Sequence, residues 1–284
     1  MSRFFDLLRK DARTSRFSAA VKEVRVQARP VPIPISKTSL RRGNGTLVGP
    51  YRNVNLNVNG NSRLVFLTEP AGLAAEQYRL LRRRMTSRFP QGAMLLVTSP
   101  TPGDGKTLNA INLAWCLAEG DGPTLLLEAD LRQPTVAKVL GCSPLDGVEA
   151  ALLGEAEPET VVWTVSGSPL CVAMAAKGQS QPARILKDPR LRKFMGWAKN
   201  KFRWTVVDAP PVFPAADVAE LCPLVDAALL IVRARKTPQD LVLKSFEVLG
   251  DRLTGVILNE ATLCLDSHYR YLDHDYYYGR PGRK

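Results

Sequence analysis

From about residue 64 onward, short apolar runs alternate with longer stretches in which apolar residues recur every three or four positions. The runs at 94–98, 124–128, 205–207, 227–232 and 255–258 have the length of strands, whereas 107–119 places Leu108, Ile111, Trp115 and Ala118 on one side of a helix. A second helix, 189–202, gathers Leu191, Phe194, Ala198 and Phe202 on one side and keeps its five basic residues off it. A third spans 73–89. Strands alternating with helices predict an α/β protein: a doubly wound, mostly parallel sheet covered on both faces, with a ligand crevice at the carboxyl ends of its strands.

Upstream the pattern changes. Residues 1–23 set Phe4, Phe5, Leu7 and Leu8 among Arg3, Arg9, Lys10 and Arg13, which suits a short basic amphipathic helix that touches a membrane surface or docks on the body. Residues 29–62 turn to Pro30, Pro32, Pro34, Gly43, Gly45 and asparagine at every second position from 53 to 61, the composition of linker and turn. The expected organisation is a basic arm and linker over 1–63, a folded domain over 64–265 and a tail over 266–284.

Composition adds boundaries rather than a function. The 284 residues are 45% hydrophobic and 23% charged, as in ordinary globular chains. No apolar run approaches the roughly 18 residues of a membrane span, and charges interrupt the first residues before any leader-like stretch; a soluble, cytoplasmic protein is expected. Five scattered cysteines without a CxxC pair suggest neither a disulfide framework nor a zinc site. The net charge of +12 is uneven: residues 1–90 hold 18 Lys/Arg against 5 Asp/Glu, leaving 21 against 22 for the rest. Such a basic segment suits nucleic acid, an anionic membrane face or an acidic partner, and equally a solvated arm.

The strongest local signal is the loop 99–107, SPTPGDGKT, between an apolar strand and a helix. Gly103 and Gly105 let backbone N–H groups converge on phosphate oxygens, the following helix adds its dipole, Lys106 neutralises β/γ charge, and Thr107 offers a hydroxyl to Mg²⁺. The strict pattern opens with glycine, and here that place is Pro100. Two further strand ends carry carboxylates, Glu128 and Asp130 in LLLEADLRQP and Asp208 in VVDAPPV. In a parallel sheet these ends share one edge with the loop, so Asp130 and Asp208 approach a metal from different strands.

Taken in order, EQYRLLR (Glu76, Arg79, Arg82), PGDGKT, LLLEADLRQP, VVDAPPV, GVILN ending at Asn259 and a terminal tyrosine cluster resemble the bacterial tyrosine kinases (BY-kinases) of capsule and exopolysaccharide biosynthesis, relatives of septum-site and partition ATPases. The resemblance runs from about residue 64 to the C-terminus and implies a Walker-type P-loop kinase that uses ATP and Mg²⁺. It implies nucleotide binding by Gly103, Asp104, Gly105, Lys106, Thr107 and Leu108, with Asn259 at the adenine; metal binding by Thr107, Asp130 and Asp208; and catalysis by Lys106, Glu128, Asp130 and Asp208, with Asp130 toward the acceptor hydroxyl. Partition-type ATPases carry a second lysine early in the loop, where this chain has Thr101, which favours the kinase branch. Two departures stand out: Glu128 occupies a place that is usually Asp, and Gln181-Pro-Ala-Arg184 replaces an Asn-Pro segment with an acid.

On a helix over 73–89, Glu76, Arg79 and Arg82 form a drifting stripe, either a solvated charged face or, as the resemblance implies, the interface of a ring-like homo-oligomer. Tyr269, Tyr271, Tyr276, Tyr277 and Tyr278 are five of the seven tyrosines, within the last sixteen residues and among Asp266, Asp273, Asp275, Gly279 and Pro281. They read as a polar tail, and the resemblance implies that they are the targets of autophosphorylation. His268 and His274 lie there without the spacing of a ligand set. The resemblance also implies a membrane-embedded polysaccharide co-polymerase as activator, a tyrosine phosphatase as counterpart, a place at the inner membrane face and no specific nucleic acid. Two other readings remain: a non-catalytic ATP-binding scaffold, motivated by Glu128, and a membrane- or nucleoid-positioning ATPase, motivated by the basic arm.

Overall fold

The computed structural model describes residues 51–58, 62–144, 146–214 and 216–261, all within the compact unit that runs from Gly45 onward. The basic helix expected over 1–23 and the tyrosine cluster lie outside the described residues. The strands are β1 (Arg52–Val54), β2 (Ala93–Thr98), β3 (Thr124–Glu128), β4 (Trp163–Val165), β5 (Leu170–Ala173), β6 (Trp204–Asp208), β7 (Ala227–Arg233) and β8 (Leu253–Asn259). The α-helices are α1 (Val65–Thr68), α2 (Leu73–Arg88), α3 (Lys106–Asp121), α4 (Val136–Leu140), α5 (Val148–Leu153), α6 (Pro182–Lys187), α7 (Pro189–Lys201), α8 (Asp217–Leu221) and α9 (Gln239–Leu249).

All eight strands join one sheet in the order β1-β4-β5-β3-β6-β2-β7-β8, antiparallel only between β4 and β5. The strands read as continuous apolar runs because both faces are covered. On β2, Met94 and Leu96 belong to one core with Leu125, Leu127 and Val207, closed by Leu191, Phe194 and Ala198 of α7. Leu95 and Val97 belong to the other, with Leu126 and Val206, closed by Ile111, Ala114 and Leu117 of α3 and Ala75 and Met85 of α2. Successive residues point to opposite faces, and each fully buried leucine contributes about 1.5–3 kcal/mol. Among the described residues, no helix is long and apolar enough to cross a membrane.

From β2 the chain moves to β3, two places away, and from β6 it returns across β2 to β7. The winding direction therefore reverses around β2, and the loop leaving its carboxyl end lies at the switch point where open α/β sheets bind ligands.

The linker pattern over 29–62 contains a strand. Residues 52–54 of β1 pair in parallel with 163–165 of β4, and Arg52 lies over the Trp163 ring at 5.5 Å while its guanidinium meets Asp146 at 3.0 Å. Two of its three residues are exposed, so this edge strand has no apolar run to announce it. The same brevity hides β4 and β5, at three and four residues.

Candidate active site

The loop after β2 owes its shape to two glycines with left-handed backbone, Gly103 at φ +83° and Gly105 at φ +96°. A Cβ on Gly105 would come 2.2 Å from Asn259 Nδ2, so that position has neither the conformation nor the room for a side chain. Asp104 is buried and works inside the loop: its carboxylate accepts from the Thr101 N–H and hydroxyl, both at 2.9 Å, and from the Thr237 hydroxyl at 2.8 Å. Two asparagine amides hold successive loop carbonyls, Asn259 donating to Asp104 O at 2.8 Å and Asn109 to Gly105 O at 2.9 Å. Asn259, expected at the adenine, thus has its amide on the loop. Leu108 is partly buried and packs on the α3 side of the core.

Lys106 and Thr107, the first residues of α3, face the ends of β3 and β6. Lys106 Nζ lies 2.8 Å from Asp130 Oδ2, 3.5 Å from Asp208 Oδ1 and 3.1 Å from Thr107 Oγ1, and Thr107 Oγ1 donates to Asp208 Oδ2 at 2.7 Å. The Asp208 carbonyl accepts from Ala129 N at 2.8 Å and Asp130 N at 3.1 Å, which binds the two carboxylate segments to each other. Burial pushes the Asp208 carboxyl up to about 6, against the pull of Lys106 and the Thr107 hydroxyl. Burial disfavours the Lys106 charge, yet Asp208 and Asp130 outweigh it and its pKa is raised.

These residues fit Mg²⁺. Asp208 Oδ1 is buried without a hydrogen bond, and beside it stands the Thr107 hydroxyl. A small, hard cation that keeps several waters needs only such a carboxylate and hydroxyl, with phosphates completing its shell. Among the described residues no group of three or more His, Cys, Asp or Glu forms a metal cage.

Glu128, expected in the catalytic set, is directed elsewhere. It is fully buried, and its carboxylate accepts from Thr135 N at 2.6 Å, Val136 N at 2.8 Å and Ala175 N at 2.9 Å. It therefore ties the start of α4 and the end of β5 to β3. Burial raises its pKa to about 7, although the three backbone donors pull the other way. The added methylene relative to Asp is used to span to neighbouring backbone. Thr135, held by this carboxylate, sends its hydroxyl to Thr107 Oγ1 at 3.1 Å.

Several neighbours have no motif to reveal them. Arg132 forks onto the buried Asp217 at 2.6 and 3.0 Å, joining the segment after β3 to α8. Arg233 Nε and Arg63 reach Glu260, both at 2.7 Å, beside the loop. The signal for Asp217 was a lone acid at a helix start, which is common in any fold. On α2, Arg79 pairs with Glu76 and lies over the Phe66 ring at 5.5 Å, while Arg82 donates to Cys116 O of α3 at 2.9 Å. The stripe expected to face another subunit makes these contacts within the chain.

No family model matches the chain. Tyrosine-protein kinase YwqD of Bacillus subtilis is 30% identical over 213 residues, covering 73% of this chain and 90% of that protein. Succinoglycan biosynthesis transport protein ExoP of Rhizobium meliloti is 29% identical over 180 residues, 61% of this chain but 23% of that longer protein. Among solved structures, the kinase domain of the Escherichia coli tyrosine kinase ETK superposes with a TM-score of 0.66 at 26% identity, covering 72% of this chain and 82% of that one. Similarity of this extent, in a chain whose phosphate loop, lysine and carboxylates meet at one sheet edge, shows that the protein belongs to the bacterial tyrosine-protein kinases.

Proposed function

We propose that the chain transfers the γ-phosphoryl group of ATP to tyrosine hydroxyls, including those of its own C-terminal cluster, and that it regulates exopolysaccharide or capsule synthesis. The observation that carries this reading is that Lys106 meets Thr107, Asp130 and Asp208, and Thr107 meets Asp208, at 2.7–3.5 Å at the mouth of the glycine loop. Backbone N–H groups of 103–107 and the start of α3 receive the phosphates. Lys106 exchanges its carboxylate partners for phosphate oxygens and neutralises the charge that develops on transfer. Asp130, relieved of Lys106, accepts the proton of the incoming tyrosine hydroxyl as that oxygen bonds to phosphorus and ADP departs. Thr107 and Asp208 would hold Mg²⁺, which would supply charge neutralisation for the phosphates. Little covalent chemistry is asked of the protein, so positioning and electrostatics account for the rate.

The acceptors we assign are Tyr269, Tyr271, Tyr276, Tyr277 and Tyr278, modified in trans within a ring-like homo-oligomer in which Glu76, Arg79 and Arg82 take part. Each phosphate adds about −1.5 to −2 charges near neutral pH, beside Asp273 and Asp275, so repeated modification releases tails from neighbouring sites. The basic arm, with Arg3, Arg9, Lys10 and Arg13, brings the kinase to the inner membrane face or to a membrane-embedded co-polymerase partner. Intact mass spectrometry after incubation with Mg-ATP tests the reading: successive phosphate additions are expected for the full chain and none for Lys106→Ala. An unmodified mass, alongside demonstrated nucleotide binding, would leave a non-catalytic scaffold.

A further inference from the structure

The glycine loop is held from behind, and the hold begins on α2. A trans, planar peptide sets its C=O and the next N–H on opposite sides. An amide donor on Asp104 O therefore turns the Gly105 N–H the other way, and one on Gly105 O does the same for the Lys106 N–H. Asn259 supplies the first, at 2.8 Å, and Asn109 the second twice over, its side-chain amide at 2.9 Å reinforcing its own backbone N–H at 3.1 Å. An asparagine amide does this only in one of its two orientations, because its oxygen would face the carbonyl in the other.

For Asn109 the orientation is set by Tyr78. The Tyr78 hydroxyl donates to Asn109 Oδ1 at 2.8 Å, which leaves Nδ2 for Gly105 O. Asn109 is 4% exposed, so no water-facing alternative competes. The Tyr78 ring packs against Phe66 with centroids 6.1 Å apart. Burial raises its pKa, against the pull of a side-chain hydrogen bond with Asn112. The following turn of α3 repeats the arrangement on neighbouring backbone: Asn112 accepts from Val65 N at 3.0 Å and donates to Arg63 O at 3.1 Å.

We propose that Tyr78 is a positioning residue for nucleotide binding: through Asn109 it orients the Gly105–Lys106 peptide toward the phosphates and ties α2 to the loop. The proposal rests on the loop being the nucleotide site. It also means that a displacement of α2 reaches the phosphate site along two hydrogen bonds.

The test is Tyr78→Phe in the full chain, which keeps the ring and removes the hydroxyl. Expected are an affinity for Mg-ADP lower by about fivefold in calorimetry, a matching rise in KM for ATP, and kcat within about twofold. Asn109→Asp, isosteric but without the donor, should cost more than about tenfold, and Tyr78→Phe added to it should cost nothing further in affinity. A lowered melting temperature with unchanged Mg-ADP affinity for Tyr78→Phe would overturn the proposal, as would full additivity of the two substitutions. If the unaltered chain bound no Mg-ADP, the nucleotide reading itself would fall, and this one with it.

Discussion

The carboxyl edge of the sheet and the outer face of α2 carry the same kinds of charge and put them to different physical use. At the edge, the side chains of Lys106, Asp130 and Asp208 are 11%, 5% and 0% exposed. On α2, those of Arg79 and Glu76 are 32% and 45% exposed. Water screens the second pair, so its contribution to the fold is at most about 0–1 kcal/mol. The first group has lost its hydration and depends on its partners, so that removing one leaves a buried charge uncompensated. The same kinds of charge thus form a buried, mutually dependent cluster in one place and a solvated surface in the other, and the deciding quantity is access to water.

Substitutions at the edge should sharpen that contrast most. Lys106→Ala should abolish detectable tail phosphorylation, and Asp208→Asn should lower transfer by at least about 100-fold at limiting Mg²⁺ while the circular dichroism spectrum persists. Transfer by either variant at the unaltered rate would remove that residue from the site.

The next effect is one of pH. Glu128 has its pKa raised from 4.5 to about 7 by burial, so the folded chain holds this proton where the unfolded chain has released it. Its contribution to stability is present below about pH 4.5 and is lost as the pH rises toward 7, by about 3 kcal/mol in all. Urea unfolding followed from pH 4.5 to 7.5 should show this fall relative to Glu128→Gln, which cannot titrate. Parallel curves for the two proteins would contradict it.

Shortening the same side chain tests what its length is for. Glu128→Asp restores the residue type expected from the resemblance but cannot span to Thr135, Val136 and Ala175 at once, and a loss of about 1–3 kcal/mol in unfolding free energy is expected. A variant as stable as the parent would place the function of Glu128 back in the catalytic set.

The smallest effect belongs to α2. Glu76→Gln should change unfolding free energy by less than about 0.5 kcal/mol. Its effect on oligomer mass, followed by light scattering, separates a solvated face from a subunit interface: no change in mass supports the first and dissociation the second.

Much of this was legible before any coordinates. The order strand, glycine loop, helix at 94–119 and the apolar runs ending in Asp130 and Asp208 specify a doubly wound sheet with a phosphate loop at its edge, because period and loop chemistry are local properties of the chain. Local signals were silent on β1, β4 and β5, whose three or four residues exist as strands only through the partners they pair with.

Tertiary structure decided which polar groups meet. Glu128 and Asp130 are two residues apart and equally acidic in sequence, yet one carboxylate accepts three backbone N–H groups in the interior and the other meets Lys106. Sequence also could not pair Tyr78 with Asn109 or Arg132 with Asp217, which lie 31 and 85 positions apart. The reason is physical: conformational preference is felt over a few residues, whereas the cost of burying a charge or an amide depends on what the whole chain brings within about 3 Å of it.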